Sequence, residues 1–240
     1  GSTADTIGVE YELQLLDGRT LDMADAILPL LEQMPEGHTN IEPEYIQSTV
    51  EVVSRTMKDC HALESHLRER VGFIRDKCHE LGLELCGGGT HPFRTRLGEV
   101  TPEPRYYKVE AETGYAGAIQ MVCATHVHIG VPSGDEAIRL MRRLRPYLSV
   151  LLGLSAASPF YMGADSGFAT YRPRILLAAH SYGTPPPLHS WPEFQAIWRA
   201  ARRANVYQTF KDVHWDIRPK PEFGTVEVRI MDGQGTVHAT

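Results

Sequence analysis

Residues 120–131 read Gln120-Met121-Val122-Cys123-Ala124-Thr125-His126-Val127-His128-Ile129-Gly130-Val131. The run is rich in β-branched residues and is stopped by Pro132-Ser133-Gly134, so it predicts a strand. Successive side chains of a strand leave opposite faces. His126 and His128 therefore share one face, while Val127, Ile129 and Val131 turn to the other, toward a core. A strand that is polar on one face and apolar on the other suits an antiparallel sheet with one covered face. The buried strands of a parallel sheet read as unbroken apolar runs instead.

The same two-sided pattern recurs along the chain. Residues 7–16 put Glu10 and Glu12 on one face and meet a turn signal at Asp17-Gly18. Residues 46–53 put Glu51 with Gln47 and Thr49, and Glu44 lies just ahead of them. Residues 224–231 put Glu227 with Arg229, against Val226, Val228 and Ile230. A short strand at 83–86 enters Gly87-Gly88-Gly89, which reads as a tight turn because it lacks the Gly-Lys-[Ser/Thr] ending of a phosphate loop.

Helical spacing fills the intervals. Leu63, Leu67, Val71, Ile74, Cys78 and Leu81 recur every three or four residues, predicting a helix from near Lys58 to Gly82. A second is expected from Asp135, as its cap, through Leu154 with a kink at Pro146. A third should start after Trp191, with Pro192 in its first turn, and reach about Ala204. The fold class expected is α+β, a mainly antiparallel sheet with helices on one face and a polar site on the other.

With 240 residues, 42% of them apolar and 22% charged, the chain can bury a sizeable core. Its net charge of −6 argues against nucleic acid or an anionic membrane as partner. Cys60, Cys78, Cys86 and Cys123 form no Cys-x-x-Cys pair, so neither a disulfide framework nor a zinc knuckle is expected. No apolar run reaches the roughly 18 residues of a membrane helix. Gly1-Ser2 looks like an added tag, so residues 1–6 are expected to be unstructured, 7–240 to form one domain, and the protein to be cytoplasmic.

If the polar faces belong to one sheet, Glu10, Glu12, Glu44, Glu51, Glu227 and a histidine converge on one surface. Carboxylates so close raise one another's pKa, and a divalent cation relieves the repulsion. Hard oxygen donors with one imidazole favour Mg²⁺ or Mn²⁺ over Zn²⁺. Each pair alone is as readily a solvated strand face or a cross-strand ion pair; their coincidence is what points to a metal site. The arginines Arg139, Arg142, Arg143 and Arg145 read as a solvated helix face.

Seven motifs in order carry a family resemblance: Gly8-Val9-Glu10-Tyr11-Glu12, Gly89-Thr90-His91-Pro92-Phe93, Thr125-His126-Val127-His128-Ile129-Gly130-Val131, Ser158-Pro159-Phe160, Tyr171-Arg172, Trp215-Asp216-Ile217-Arg218-Pro219 and Gly224-Thr225-Val226-Glu227-Val228-Arg229. From residue 7 to about 232 the chain resembles the type 2 glutamate–cysteine ligases, or carboxylate–amine ligases. The resemblance implies a curved antiparallel sheet like the glutamine synthetase catalytic domain. It implies ATP and Mg²⁺ (or Mn²⁺), L-glutamate, an amine such as L-cysteine, and a γ-glutamyl phosphate intermediate. It carries Glu10, Glu12, Glu51, His128 and Glu227 over as metal ligands, with Glu44 a further candidate. Arg229, Arg172 and Arg218 become the cations expected to meet phosphate or the substrate carboxylate. The family continues past residue 240, so a C-terminal helical portion is expected to lie beyond this chain, and a homodimer is the base-rate expectation.

Two other readings stay open on the residues. One is a metal-dependent hydrolase built on His126 and His128, although His38, His61, His66 and His79 fall on helix or loop positions. The other is a non-catalytic relative that binds a nucleotide or glutamate and regulates a partner.

Overall fold

Seven strands line up as one sheet in the computed structural model, which describes residues 2–35, 40–179 and 181–240. Gly1 and His38 lie outside the described residues. The strands are β1 (Ile7–Asp17), β2 (Ile41–Pro43), β3 (Thr49–Val53), β4 (Leu83–Cys86), β5 (Thr125–Gly130), β8 (Ile217–Lys220) and β9 (Thr225–Val228). β6 (Phe160–Tyr161) and β7 (Ala164–Asp165) form a separate small hairpin. The order is β2-β3-β1-β5-β9-β8, with β4 added on β1, and every pairing is antiparallel. The expected α+β class holds.

The helices are α1 (Ile27–Glu32), α2 (Cys60–Glu80), α3 (Pro104–Thr113), α4 (Tyr115–Ala118), α5 (Gly134–Leu144), α6 (Leu148–Leu154), α7 (Arg172–Leu176) and α8 (Trp191–Arg203). None among the described residues is long and apolar enough to cross a membrane. α2 starts where Asp59 accepts a hydrogen bond from the Ala62 N–H at 2.8 Å. Its Leu63, Leu67, Ile74 and Cys78 pack on Val9, Tyr11, Leu13 and Leu15 of β1. Ala137, Ile138 and Met141 of α5 and Phe194 of α8 cover Ile217, Val226 and Val228 in a second cluster. The apolar face is thus sealed, and truncating a fully buried residue such as Ile74 would cost about 2–5 kcal/mol.

Several local expectations change. Ser133, not Asp135, caps α5, accepting from the Glu136 N–H at 3.3 Å. The helix to Leu154 is not simply kinked: a 3-10 turn, Arg145–Tyr147, holds Pro146 between α5 and α6. Residues 2–6, expected to be unstructured, run beside β5: the Ser2 N–H donates to Val131 O at 3.0 Å, and Gly130 donates to Thr6 O at 2.8 Å. The triple glycine is more than a tight turn. A Cβ at Gly87 would lie 1.8 Å from Gln234 O, and one at Gly89 would lie 2.8 Å from Asp232 Cγ. These glycines let the loop press against residues 232–234, where the Tyr11 hydroxyl also donates to Gln234 O.

Candidate active site

Register makes the site. Glu12 lies opposite Glu51 and Glu10 opposite His126, while His128 lies opposite Glu227 and Glu227 opposite Arg218. Directly opposed residues share a face, so three rows of polar side chains cross the strands on the side away from α2, α5 and α8. Glu12, Glu51, His126, His128 and Glu227 are all buried, and Glu44 is half-buried beside them.

Three sets of ligand atoms each fall within 4.8 Å of one another: Glu10, Glu51 and His126; Glu10, His128 and Glu227; and Glu12, Glu44 and Glu51. All six carboxylate and histidine ligands expected from the sequence are therefore brought together, and His126 joins them. His126 Nδ1 lies 3.0 Å from Glu10 Oε2. A carboxylate can only accept, so Nδ1 carries the proton and the Nε2 lone pair is free. That buried Nε2 has no hydrogen-bond partner and lies 3.7 Å from Glu12 Oε1. An imidazole oriented by a carboxylate through one nitrogen, with the other bare among acidic oxygens, suits a hard divalent cation. The donor set fits the expected metal.

The charges divide the face in two. Burial pushes Glu12 up to about 8, helped by Glu44; burial also raises Glu44, and it raises Glu51 well above the ordinary range together with Glu10 and Glu44. Burial opposes ionisation of Glu10 as well, but hydrogen bonds from His126 and His128 bring its carboxyl below the ordinary range. Burial, with Arg229 nearby, lowers His126 to about 3, so it is neutral. Against burial, Arg229, Arg218 and Lys220 hold Glu227 well below the usual range.

Arg218 is placed otherwise than a phosphate-binding arginine requires. Its Nε and NH2 donate to Glu227 at 2.7 and 3.0 Å, and NH1 donates to the Lys211 and Val213 carbonyls. It is 4% exposed and anchors Glu227. Arg229 also donates to Glu227, yet it lines a cavity of about 440 Å³ together with Arg172, Tyr182, Thr184, His214 and Asp216. A second cavity, of about 310 Å³, touches Gly8, Glu10, His128 and Phe223. Tyr182, His214, Asp216 and Lys220 were not singled out in the sequence; only the Trp215–Pro219 motif signalled their neighbourhood.

Two quoted motifs are scaffolding. His91 lies 2.9 Å from Leu21 O and accepts from the Arg94 N–H, which pins the turn after β1. Ser158 donates to Asp232 at 2.7 Å and accepts from the N–H groups of Tyr171 and Arg172, which fixes the start of α7.

The profile of glutamate-cysteine ligase family 2 matches residues 6–239. Proteins from Trichormus variabilis, Chromobacterium violaceum and Ralstonia pickettii, each named "Putative glutamate--cysteine ligase 2", are 42%, 37% and 37% identical to it. The matches cover 97%, 95% and 98% of this chain but 60%, 61% and 63% of theirs, so it spans about three-fifths of these relatives. Among solved structures, a bifunctional glutathione synthetase from Pasteurella multocida superposes with a TM-score of 0.65 at 17% identity, covering 95% of this chain and 35% of that one. A glutamate–cysteine ligase from Francisella tularensis, in complex with AMP, gives 0.64 at 12% identity, covering 96% and 62%. At such identities these two speak for the fold.

Proposed function

Because the chain belongs to glutamate–cysteine ligase family 2, we propose that it carries the catalytic sheet of an ATP-dependent carboxylate–amine ligase. In this reading L-glutamate is activated at its γ-carboxylate by phosphorylation and then attacked by an amine such as L-cysteine. The products are a γ-glutamyl amide, ADP and phosphate. The observation that carries the reading is the set of three overlapping ligand triads beside Arg229 and Arg172.

A carboxylate has no good leaving group, and phosphorylation supplies one. The demands on the protein are then alignment and charge. Glu10, Glu12, Glu44, Glu51, His128 and Glu227, with His126, are read as the residues that hold Mg²⁺ or Mn²⁺. Bound divalent cations would neutralise these carboxylates and draw in the phosphates. Arg229 stands between Glu227 and the larger cavity, where a guanidinium can meet the acyl phosphate. Arg172 is read as an anion-binding residue deeper in that cavity, and Arg218 as a positioning residue that acts through Glu227. The smaller cavity, against Glu10 and His128, is read as the nucleotide's side of the cluster.

The test is ADP release from Mg-ATP and L-glutamate with a panel of amines headed by L-cysteine. Release that requires an amine, and that EDTA abolishes, is expected. ATP breakdown independent of glutamate and amine would overturn the reading.

A further inference from the structure

The larger cavity holds opposite charges that do not pair. Arg172 is 4% exposed, its NH1 and NH2 reach only the Ile230 and Arg229 carbonyls at 3.3 Å each, and its buried Nε has no hydrogen-bond partner. Among the described residues no carboxylate forms an ion pair with it. Asp216, half-buried on the same cavity, accepts from the Thr184 hydroxyl at 3.0 Å and pairs with no cation among the described residues.

Each group has its own tether. The Arg229 and Ile230 carbonyls, just past β9, hold the guanidinium, and Thr184 holds the carboxylate. A buried guanidinium with an unused N–H is costly unless something completes it. An inorganic anion would complete Arg172 and leave Asp216 alone. A plain dicarboxylic acid would leave Asp216 without a partner. A zwitterion satisfies both. The stacked rings of Tyr182 and His214, 4.7 Å apart and 13° from parallel, line the same cavity. Arg229, on the same cavity, leads on to the carboxylate cluster.

We propose that this cavity grips the α-amino-acid end of the acid substrate, Arg172 taking the α-carboxylate and Asp216 the α-ammonium. Asp216 is then the residue that selects an α-amino acid over a plain dicarboxylic acid. The inference rests on the ligase reading for its substrate, but not for the charge pattern.

The test is D216N, with amine-dependent ADP release measured on L-glutamate and on glutarate, which lacks only the amino group. The ratio of kcat/KM for glutamate over glutarate should fall about 10- to 100-fold, the worth of one hydrogen bond to a charged group. An unchanged ratio, or equal losses on both acids, would overturn the proposal. If D216N does not fold, T184V, which only releases the carboxylate, should move the ratio the same way. If wild type releases no ADP with either acid, the ligase reading fails. Calorimetric binding of L-glutamate and glutarate then decides the cavity: preferential binding of glutamate, lost in D216N, supports the assignment, and equal or absent binding refutes it.

Discussion

Replacing Glu227 with glutamine should cost stability as well as turnover, although the change keeps the side chain's size. Glu227 has no exposed surface and takes both Arg218 hydrogen bonds and the Arg229 contact, with Lys220 Nζ at 3.7 Å. An amide leaves three cations facing one another around a neutral group and offers N–H to N–H. Removing one partner of a buried ion pair costs about 3–5 kcal/mol. For a protein of this size each kcal/mol is roughly 2–4 °C in Tm, so the expected drop is about 6–20 °C. Thermal unfolding followed by circular dichroism, in EDTA at neutral pH, reads it directly. The double variant E227Q/R218M should be less destabilised than the two single changes added together, because it also removes one stranded charge. A Tm within about 2 °C of wild type for E227Q would refute the reasoning, and ADP release should be compared only well below the variant's Tm.

Two further outcomes follow from the geometry. Glu12, Glu44 and Glu51 are raised in the folded state, so their contribution is present below about pH 4.5 and is lost as pH rises, for Glu12 through about 8; Glu10 and Glu227 are lowered and act in the opposite sense, losing theirs only as pH falls below that point. Buried neutral His126 and His214 work against this loss up to about pH 6.5. Above it, in EDTA, stability should fall between about pH 7 and 8, by up to about 1.4 kcal/mol per pH unit per raised carboxyl, read as a falling Tm that Mg²⁺ or Mn²⁺ flattens; a flat or rising Tm over that window would count against the cluster. Gly87→Ala must drive a methyl into Gln234 O and should lower the chemical-denaturation midpoint sharply, whereas a midpoint equal to wild type would mean that the loop can move aside.

What could be read from sequence was local. A period of two puts Glu10 beside Glu12, His126 beside His128 and Glu227 beside Arg229, and those pairings survive in the sheet. The choice of His128 over His126 was not local. It turns on which nitrogen Glu10 reaches from the neighbouring strand, and both histidines touch Glu10. β8 was missed because Ile217-Arg218-Pro219-Lys220 carries a proline, which marks a non-strand or an edge; it is an edge strand of the sheet, at the end opposite β2. Missing it hid the pairing of Arg218 with Glu227, and left Arg218 expected at the phosphate. The expected strand at 120–131 begins only at Thr125, because residues before it make single bridges, Thr90 with Val122 and Ala124 with Asp232. Asp216 carries no periodic signal, and its standing depends on Thr184 and Arg172, both distant in sequence.

The triple-glycine crossing has a kinetic side. Tyr11 is tied to the Gln234 carbonyl across 223 positions, and the cluster needs β1 and β9 on either side of β5. During synthesis, Glu10 and Glu12 emerge long before Glu227 and wait for β9 before their row can close. Contacts so far apart in the chain slow folding, because the loop entropy is lost before the contacts reward it. A nascent chain that has made α2 and β5 already has an apolar face to cover, yet it lacks Glu227 and Arg229. Tight cation binding should thus appear late, as β9 docks on β5. Stopped-flow refolding with and without Mn²⁺ would then differ in its slowest phase and agree in its earliest one.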